Sequence, residues 1–548
     1  MAKPRDPRIL RHGALTAGAI CAFGVCGSAD AQPETFSNPP ELASVNGELR
    51  TTFVVVEALV QVADKTVNTL VYNGEFMPPL LRVRPGDTIY LDLVNETAEP
   101  TNEHYHGLNV SPRVNADATV SDNVLISIEP GTLASYRIQI PETHNPGLYW
   151  YHAHLHGLAE HQVMGGLSGG LIVEGVLDPF PELQGIRERV FLLKDIQITP
   201  DGTLPDDIDP SADTNRTVNG LTQPTIELKA GELQFWRFAN IGANMYYRIV
   251  LDDHVFQELA RDGNRHTGLV EMAEILLPPG ARSEVLVLGT DTGQFSLRTL
   301  AFDTGPEGDS YGEDVLATVF TQDAVETPAP ALPPPEAFPP VEDLRTLPVA
   351  QSRTITFVDG PDPLFYIDSG AGPVQYDPNR VDATIEAGTV EEWTILNASG
   401  ELHAFHIHQT DFQVTEINGV PQEFVGRQDS VNVPYQLDDG TPGQVKVLID
   451  FRNPIIVGKF VYHCHILEHE DGGMMAIAEV VNPPGAPPPP ESIARDGVDR
   501  DVVLDTLAAF QAGSYCGDDA PRRASPAIEA LLGGNAGSSS RRRALLEP

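Results

Sequence analysis

Cysteine is scarce in this chain, with only four cysteines in 548 residues. Two of them, Cys21 and Cys26, lie in an N-terminal segment that we expect to be removed. The other two, Cys464 and Cys516, cannot form an internal disulfide if Cys464 binds a metal ion. Cys516 is then free, buried or paired between chains. A large chain without disulfides relies on its own hydrophobic cores and on bound metal.

Positive charge is also scarce, because 35 Lys and Arg residues stand against 77 Asp and Glu residues, a net charge of −42. Such an acidic surface argues against nucleic acids and anionic membranes as partners. It would attract cationic substrates and metal ions, although a general contribution to solubility is the interpretation that we favour.

Long hydrophobic runs are absent apart from one short run near the N-terminus. Three arginines precede a stretch of small apolar residues at 13–27, and Ala29-Asp30-Ala31 offers a cleavage site. The stretch is shorter than the roughly 20 residues that a membrane span requires. Residues 1–31 are therefore predicted to form a signal peptide. This implies a secreted or periplasmic protein without stable membrane association.

A short segment near the C-terminus carries the residue types of a copper site. Cys464, His469 and Met474 supply a thiolate, an imidazole and a thioether, and His403 is a source of a second imidazole. Two His and one Cys with a weak axial Met form the ligand set of a blue, or type 1, copper site. Met475 competes with Met474 for the axial position.

Further histidines occur in closely spaced pairs. His463 and His465 flank Cys464, so in an extended segment they point to the face opposite the cysteine. One strand would then connect two metal sites through covalent bonds. Three more His-x-His pairs supply the other imidazoles of a second cluster: His104 and His106, His152 and His154, His406 and His408. His403 lies three residues before His406, an odd spacing, so in a strand it points to the opposite face from the last pair and is expected to face Cys464.

The strings HYHGLNV, WYHAHLHG, HAFHIHQTDF and YHCHILEHEDGGMM resemble the four copper motifs of the multicopper oxidases, a laccase-like family. The last string is most similar to the bacterial branch of cuprous oxidases and spore-coat laccases. The resemblance extends from about Thr51 to Val481. It implies an all-β chain of three consecutive cupredoxin-like Greek-key β-sandwich domains. A type 1 copper would lie in the third domain and a trinuclear cluster between the first and third.

The resemblance also implies which residues bind four copper ions. The type 1 ligands would be His403, Cys464, His469 and the axial Met474. Those of the type 2 ion would be His104 and His406. Those of the two type 3 ions would be His106, His152 and His465 on one, and His154, His408 and His463 on the other.

Catalytic roles follow from the same resemblance. Electrons would pass through Cys464 to its two flanking histidines. Glu470 matches an acidic position of the bacterial branch and is expected to supply protons to the cluster. Asp122 is expected to do so from the first domain, with Asp117 as the competing candidate. Groups that orient the imidazoles must also exist, but the sequence does not identify them.

Patterns along the chain predict its division into domains. Short apolar strands separated by Gly and Pro turns are typical of stacked β-sandwiches. A similar turn phrase precedes an apolar strand at 84–87, 229–232 and 386–389, which supports three copies of one fold. The predicted segments are domain 1 at 45–178, domain 2 at 189–321, a proline-rich connector at 322–348, domain 3 at 350–482, and a partly disordered tail at 483–548 with a short helix at 502–510.

Histidines outside the pairs are predicted to be structural. His254 and His266 lie in domain 2, which has no His pair and no Cys and would be a spacer that shapes the substrate approach. His156 extends the second pair, but the resemblance uses only the first two histidines there. We therefore expect His156 to support the site without binding copper. His144 and His161 are interpreted in the same way.

The resemblance implies an oxidase that passes electrons from a small reducing substrate to O₂. The resemblance implies that copper-efflux members carry a Met-rich insert over the type 1 site in the third domain, but residues 366–393 contain no Met and the whole chain only seven. Phenols and aromatic amines are therefore the preferred substrates. Soft Cu(I), by contrast, prefers thioether ligands. The alternative is a metallo-oxidase of Cu(I), Mn(II) or Fe(II) in copper tolerance. A copper-binding or electron-transfer protein without oxidase activity would leave the second histidine cluster unexplained.

Overall fold

The computed structural model describes residues 34–486, except 63, 207, 210, 211, 326–328, 362 and 363. The predicted signal peptide and the tail beyond 486, with Cys516, lie outside the described residues. Strands dominate the described chain, and its six large sheets form three β-sandwiches in succession. This architecture confirms the predicted all-β chain of three cupredoxin-like domains. No helix of the described residues is long and apolar enough to cross a membrane.

Domain 1 comprises the strands between 41 and 173. Its elements are β1 (Glu41–Ala43), β2 (Glu48–Val62), β3 (Lys65–Tyr72), β4 (Leu80–Val83), β5 (Thr88–Asn95), β6 (His104–His106), β7 (Leu133–Gln139), β8 (Gly147–His152), α1 (Ala159–Gly165) and β9 (Ser168–Val173). One sheet has the order β1-β4-β9-β8-β6 and the other the order β3-β2-β5-β7. Phe53 of one sheet and Tyr151 of the other meet in a shared core.

Domain 2 comprises the strands between 187 and 321. Its elements are β10 (Arg187–Ile196), β11 (Asn215–Val218), β12 (Thr225–Glu227), β13 (Leu233–Asn240), β14 (Tyr247–Leu251), β15 (Phe256–Arg261), β16 (Asn264–Met272), β17 (Ile275–Leu277), β18 (Arg282–Leu288), β19 (Gly293–Thr299), β20 (Phe302–Asp303), β21 (Ser310–Tyr311) and β22 (Asp314–Thr321). The sheets have the orders β11-β10-β13-β18-β15-β16 and β12-β22-β19-β14-β17, and β20 pairs with β21 in a separate hairpin.

Domain 3 comprises the strands between 351 and 481. Its elements are β23 (Gln351–Asp359), β24 (Phe365–Asp368), β25 (Pro373–Val374), β26 (Ala383–Glu386), β27 (Val390–Asn397), β28 (His403–Ile407), β29 (Phe412–Ile417), β30 (Val420–Pro421), β31 (Ser430–Val433), β32 (Gly443–Asp450), β33 (Gly458–Cys464), α2 (Leu467–Asp471) and β34 (Met475–Val481). The sheets have the orders β25-β24-β23-β27-β32-β29-β30 and β26-β34-β33-β28-β31. Short 3₁₀ turns lie at Pro181–Leu183, Pro335–Ala337, Leu344–Thr346 and Pro454–Ile456.

The three domains repeat one strand arrangement. A first long strand pairs in parallel with a second, which pairs antiparallel with a third: β2, β5 and β7, then β10, β13 and β18, then β23, β27 and β32. The recurring turn precedes the second strand each time, and Gly86, Gly231 and Gly388 adopt φ values of 93°, 78° and 89° there. Glycine occupies this backbone region without strain. The turn phrase therefore marks equivalent positions in three copies of one fold.

Alternating burial explains why the central strands form sandwiches. In β27, Trp393 and Ile395 are buried, whereas Thr394 and Leu396, which alternate with them, are partly exposed. A period of two places one set of side chains on the core face of a strand. Each large apolar side chain buried in this way contributes roughly 1.5–3 kcal/mol.

The proline-rich connector is anchored by two buried side chains. The ring of Phe338 packs beside Phe180, with centroids 4.8 Å apart, in a cluster that includes domain 2. Leu344 packs against Val390 and Leu448 of domain 3. The connector therefore contacts both of the domains that it joins.

A buried lysine holds domain 2 against domain 1. Lys194 in β10 is fully buried, and its ammonium group donates hydrogen bonds to the backbone carbonyls of Phe76, Gly166 and Ser168. Ser168 lies opposite His152 in the pairing of β8 with β9. Burial lowers the pKa of Lys194 to about 7. The lysine thus fixes the domain 1 sheet that carries His152.

Lys194→Met is expected to destabilise the protein, because it keeps the aliphatic volume but leaves three buried carbonyls without their donor. A buried polar group without a partner costs about 1–3 kcal/mol. We expect the free energy of unfolding to fall by about 3 kcal/mol, with a lower apparent Tm in a thermal scan. The matched control is Lys459→Met at an exposed position. Equal Tm values for both variants would contradict this role of Lys194.

Candidate metal centre

Three side chains converge on one point in domain 3. His403 begins β28, Cys464 ends β33 and His469 lies in α2. The Sγ atom of Cys464 is 3.5 Å from Nδ1 of His403 and 3.6 Å from Nδ1 of His469. The two Nδ1 atoms are 3.0 Å apart, and all three side chains are buried. One thiolate and two imidazoles around a common point are the donor set of a type 1 copper site.

Strand register decides which methionine faces this point. In the antiparallel pairing of β33 with β34, His463 lies opposite Met475, and opposite residues share a face. Met475 is therefore on the face of His463, whereas Met474 is on the face of Cys464. Met474 also shares the hydrophobic cluster of Cys464, and Met475 belongs to a different one. The packing favours Met474 as the axial candidate.

Neighbouring charges favour a thiolate at this point. Burial alone would raise the pKa of the Cys464 thiol, but His403 and His469 lower it to about 6. Burial alone would lower the pKa of His403, but Cys464 and Asp359 raise it to about 9. The thiolate is the form of cysteine that binds metal ions.

The outer nitrogens of the two histidines have different neighbours. Nε2 of His403 lies 2.9 Å from the Ser399 hydroxyl and 3.2 Å from a carboxylate oxygen of Asp359. Nε2 of His469 lies 3.5 Å from Oε2 of Glu401. The ring of Phe365 stacks on His469 with centroids 4.2 Å apart. Each histidine thus has a carboxylate on the side away from Cys464.

Eight more imidazoles meet where domains 1 and 3 touch. They lie in or directly after β6, β8, β28 and β33, and all are buried: His104, His106, His152, His154, His406, His408, His463 and His465. Rings from the two domains interleave. His104 stacks on His408 with centroids 3.8 Å apart, and His106 stacks on His406 at 4.0 Å.

Ring nitrogens in this cluster face one another. Nε2 of His463 is 3.3 Å from Nε2 of His154 and 3.2 Å from Nε2 of His408. On the other side of the cluster, Nδ1 of His106 is 3.1 Å from Nε2 of His465. His106 therefore presents Nδ1 to its neighbour, whereas the others present Nε2.

Three further ring nitrogens are buried without a partner. Nε2 of His104, His152 and His406 makes no hydrogen bond to the described residues. Buried polar atoms normally have a partner, and imidazole nitrogen is a common ligand of copper. The convergent and orphaned nitrogens therefore fit bound copper ions that the imidazoles would share.

Burial favours the neutral form of seven of these imidazoles. It lowers the pKa of seven of them, and neighbouring imidazoles add to the effect in most: His106, His152, His154, His406, His408, His463 and His465. For His154 the pKa falls to about 3, and for His463 to about 4. Neutral imidazole is the form that coordinates a metal ion.

Glu470 is a fully buried carboxylate on the outer side of the cluster. Its Oε2 lies 3.1 Å from Nδ1 of His463, and its Oε1 lies 3.3 Å from Nδ1 of His154. Burial raises the pKa of Glu470 to about 7, against the opposing effect of His154. The side chain thus contacts two imidazoles whose other nitrogens face each other.

Asp122 lies beside the cluster and Asp117 does not. Oδ1 of Asp122 is 3.0 Å from Nδ1 of His104, and its Oδ2 accepts a hydrogen bond of 2.7 Å from the Gln409 amide. Asp117 pairs with Arg137 at 2.8 Å and is partly exposed. The geometry favours Asp122 as the first-domain acid.

One carboxylate at the cluster was missed by the sequence analysis. Oδ1 of Asp429 lies 3.3 Å from Nε2 of His106, and the backbone carbonyl of Asp429 lies 2.8 Å from Nδ1 of His406. Arg282 of domain 2 donates to both carboxylate oxygens of Asp429. Neither residue belongs to a histidine motif, and no regular spacing connects them, so a single sequence offers no signal for the pair.

The remaining histidines lie outside the two groups. His266 contacts Glu258 at 2.9 Å, and His254 lies 2.6 Å from the Asp252 carbonyl, both within domain 2. His144 accepts a hydrogen bond from the backbone of Asn109.

His156 is near the cluster but not part of it. Its ring packs edge-on against Tyr376 with centroids 4.7 Å apart. Among the described residues, neither His156 nor His161 belongs to a group of metal-binding side chains with converging ligand atoms.

Sequence comparisons agree with this arrangement. Three family models described as multicopper oxidase match residues 55–177, 193–313 and 346–484. The chain is 26% identical over 432 residues to the multicopper oxidase mco of Staphylococcus aureus, across 75% of this chain and 84% of that protein. It is 27% identical over 494 residues to the cell division protein FtsP of Escherichia coli, across 85% of this chain and 97% of that protein.

Solved structures share the fold. A multicopper oxidase from Campylobacter jejuni, described as a metallo-oxidase, superposes with a TM-score of 0.68 at 24% identity. The superposition covers 82% of this chain and 96% of that chain.

Proposed function

Because the chain belongs to the multicopper oxidase family, we propose that it couples four one-electron oxidations of a small reducing substrate to the reduction of O₂. Four electrons and four protons convert one O₂ into two water molecules. The observation that carries the proposal is the tripeptide His463-Cys464-His465. Its cysteine lies in one buried donor group with His403 and His469, and its two histidines lie among the eight imidazoles of the other, beside His408 and His106.

The proposed ligands divide over four copper ions. His403, Cys464, His469 and Met474 would hold a type 1 ion. His104 and His406 would hold a type 2 ion. Two type 3 ions would be held by His106, His152 and His465, and by His154, His408 and His463. When bound, copper supplies the one-electron redox chemistry and the place where O₂ is reduced.

The covalent chain provides the proposed path for electrons. His469 would receive them from the substrate side, where its Nε2 faces Glu401. Cys464 is joined through two peptide units to His463 and His465, so the path between the two donor groups consists of bonds that the strand holds fixed. Burial of all these side chains excludes water from the path.

Two carboxylates would serve the cluster with protons. Glu470 contacts His463 and His154 from the outer side, and Asp122 contacts His104. The Asp122 acceptor at Nδ1 of His104 also fixes the tautomer of that imidazole. We assign Glu470 the role of proton donor and Asp122 that of its first-domain partner.

The surroundings of His469 suit an aromatic reductant. The Phe365 ring is an apolar stacking surface on His469. Glu401 is fixed by a 2.8 Å hydrogen bond from the Thr304 hydroxyl, and His469 and Thr304 hold its pKa below the ordinary value although burial opposes them. A carboxylate beside the electron acceptor can take the proton that a phenol or aromatic amine loses on oxidation. We therefore propose these compounds as substrates.

A metal ion is the second candidate substrate. Glu401 and Asp359 offer carboxylate oxygens beside the two histidines, and oxygen ligands suit Mn(II). The same groups would serve Fe(II), whereas Cu(I) would lack its preferred thioether ligands. We propose a secreted or periplasmic location for either reaction, which rests on the N-terminal sequence pattern.

Cys464→Ser is expected to abolish both the blue absorption band and O₂ uptake. Serine removes the thiolate from the type 1 ligand set and so interrupts the path to His463 and His465. Cys516→Ser is the matched control and should retain both properties. Retained uptake in Cys464→Ser would contradict the mechanism. A wild-type chain that binds copper but consumes no O₂ would favour a role without catalysis.

Glu470→Gln is expected to slow O₂ reduction by about 100-fold without bleaching the blue band. The amide keeps the shape of the carboxyl group but cannot supply a proton, a contribution of this size being usual for general acids. Steady-state O₂ uptake and the visible spectrum measure the two effects. Glu468→Gln, on the same helix, is the control. Equal turnover in wild type and Glu470→Gln would remove Glu470 from the proton path.

O₂ uptake with a methoxyphenol should exceed uptake with Cu(I) under one set of conditions. We expect Glu401→Gln to lower kcat/KM for the phenol by about 10-fold or more, since it removes the proton acceptor beside His469. Copper content should stay unchanged. Glu129→Gln on the exposed surface of domain 1 is the control. Faster uptake with Cu(I) would favour the metallo-oxidase instead.

A further inference from the structure

Domain 2 supplies no histidine to the cluster, yet its backbone touches it. Gly280 lies in the turn that leads into β18 and has a φ of 85°. A Cβ atom at Gly280 would lie 2.9 Å from Nε2 of His465 and 3.0 Å from Cε1 of His106. The contact to His465 is shorter than real Cβ atoms make, and the contact to His106 is tighter than ordinary van der Waals contact. The glycine therefore allows domain 2 to close one side of the cluster.

Arg282, two residues further on, is fully buried. Its guanidinium group donates to both oxygens of Asp429, at 2.8 Å and 2.7 Å. It also donates to the backbone carbonyls of Leu148 in domain 1 and of Gly280. The Arg282 backbone N–H donates to Asp262. One arginine of domain 2 is thus bonded to domains 1 and 3.

Asp429 connects this arginine to two imidazoles of the cluster. Its Oδ1 lies 3.3 Å from Nε2 of His106, and its backbone carbonyl lies 2.8 Å from Nδ1 of His406. An acceptor at Nε2 of His106 favours the tautomer with the proton on Nε2. The lone pair is then on Nδ1, which faces His465. This explains why His106 alone presents Nδ1 to its neighbour.

We propose that Arg282 and Asp429 are positioning residues that fix the orientation and tautomer of His106 and His406 for copper. In this arrangement a residue of domain 2 stabilises the trinuclear cluster by contacting both domain 1 and domain 3 at their boundary. The inference rests on the proposed function, because it assumes that the eight imidazoles bind copper. Acceptors behind metal-bound histidines typically change metal affinity by 10- to 100-fold when they are removed.

A purely structural role is the competing explanation. Arginine makes the bidentate contact that a planar carboxylate matches, and such a pair can hold domains together without any effect on copper. The two explanations differ in what a shape-conserving substitution changes. A structural pair affects stability alone, whereas a positioning pair affects copper affinity and the spectrum of the cluster in protein that is still folded.

The test compares Asp429→Asn, Arg282→Lys and Arg282→Met with wild type in the full chain. Glu284→Gln is the matched control. Glu284 lies on β18 with Arg282, and the substitution breaks its buried ion pair with Arg237, which is 2.6 Å long, without touching the cluster. The readouts are copper ions per chain after dialysis against buffered free copper, the type 2 electron paramagnetic resonance spectrum, the blue absorption band and Tm.

We expect Asp429→Asn to lower the copper affinity of the cluster by about 10- to 100-fold and to change the type 2 spectrum, while the blue band reports an intact domain 3. Arg282→Met should lower copper affinity to a comparable extent. Arg282→Lys should lower it less, because lysine keeps the positive charge but not the planar guanidinium group that binds both carboxylate oxygens. Glu284→Gln should lower Tm alone. If Asp429→Asn does not fold, Arg282→Lys carries the test.

Wild-type copper affinity and an unchanged type 2 spectrum in Asp429→Asn and Arg282→Lys would overturn the inference, even with a lower Tm. The proposed function would then stand. A wild-type chain that holds no copper beyond the type 1 ion would overturn the proposed function and this inference together.

Discussion

Eight imidazoles, buried at one domain boundary with ring nitrogens facing one another, are the constraint on which the rest of the structure depends. Lone pairs that face one another at about 3.2 Å need a cation between them or a fixed proton arrangement. The protein fixes that proton arrangement through groups beside the outer nitrogens of the imidazole rings. Most outer nitrogens lie beside an acceptor in a carboxylate or a backbone carbonyl: Asp122, Glu470, Asp429, and the carbonyls of Ala153 and Cys464. Nδ1 of His408 and Nδ1 of His465 have no hydrogen-bond partner among the described residues.

The β-strand explains why two donor groups can lie so close without merging. Alternation along β33 sends Cys464 into the core of domain 3 and its neighbours toward domain 1. The pairing of β28 with β33 places Phe405 opposite Cys464 and His406 opposite His463. His403, two residues before Phe405, shares the cysteine face. A helix would have spread the same residues around its axis, so the double site depends on the extended backbone.

Most of what could be predicted from the sequence depended on the spacing of residues that are close to one another in the chain. The His-x-His pairs, the parity of His403 and the turn phrase before β5, β13 and β27 depend on neighbours within a few residues, and the structure places them as the periodicity of a strand requires. The Arg282–Asp429 pair depends instead on contacts between side chains 147 residues apart. No periodicity encodes such a contact. The choice between Met474 and Met475 likewise needed the register of β33 against β34.

Domain 2 is the one copy of the repeated fold that contributes no imidazole to the cluster. Its strands keep the arrangement of the other copies, and its turn into β18 brings Gly280 and Arg282 to the cluster. The positive φ of Gly280 already disfavours a side chain there, and the space that a Cβ atom would need is filled by two imidazoles. Domains 1 and 3 supply the eight imidazoles and domain 2 closes the remaining side, so the cluster is complete only when all three domains are packed. If these imidazoles bind copper as we propose, copper binding and the packing of the three domains are coupled, and a change at the domain 2 contact acts on the metal site without touching a ligand.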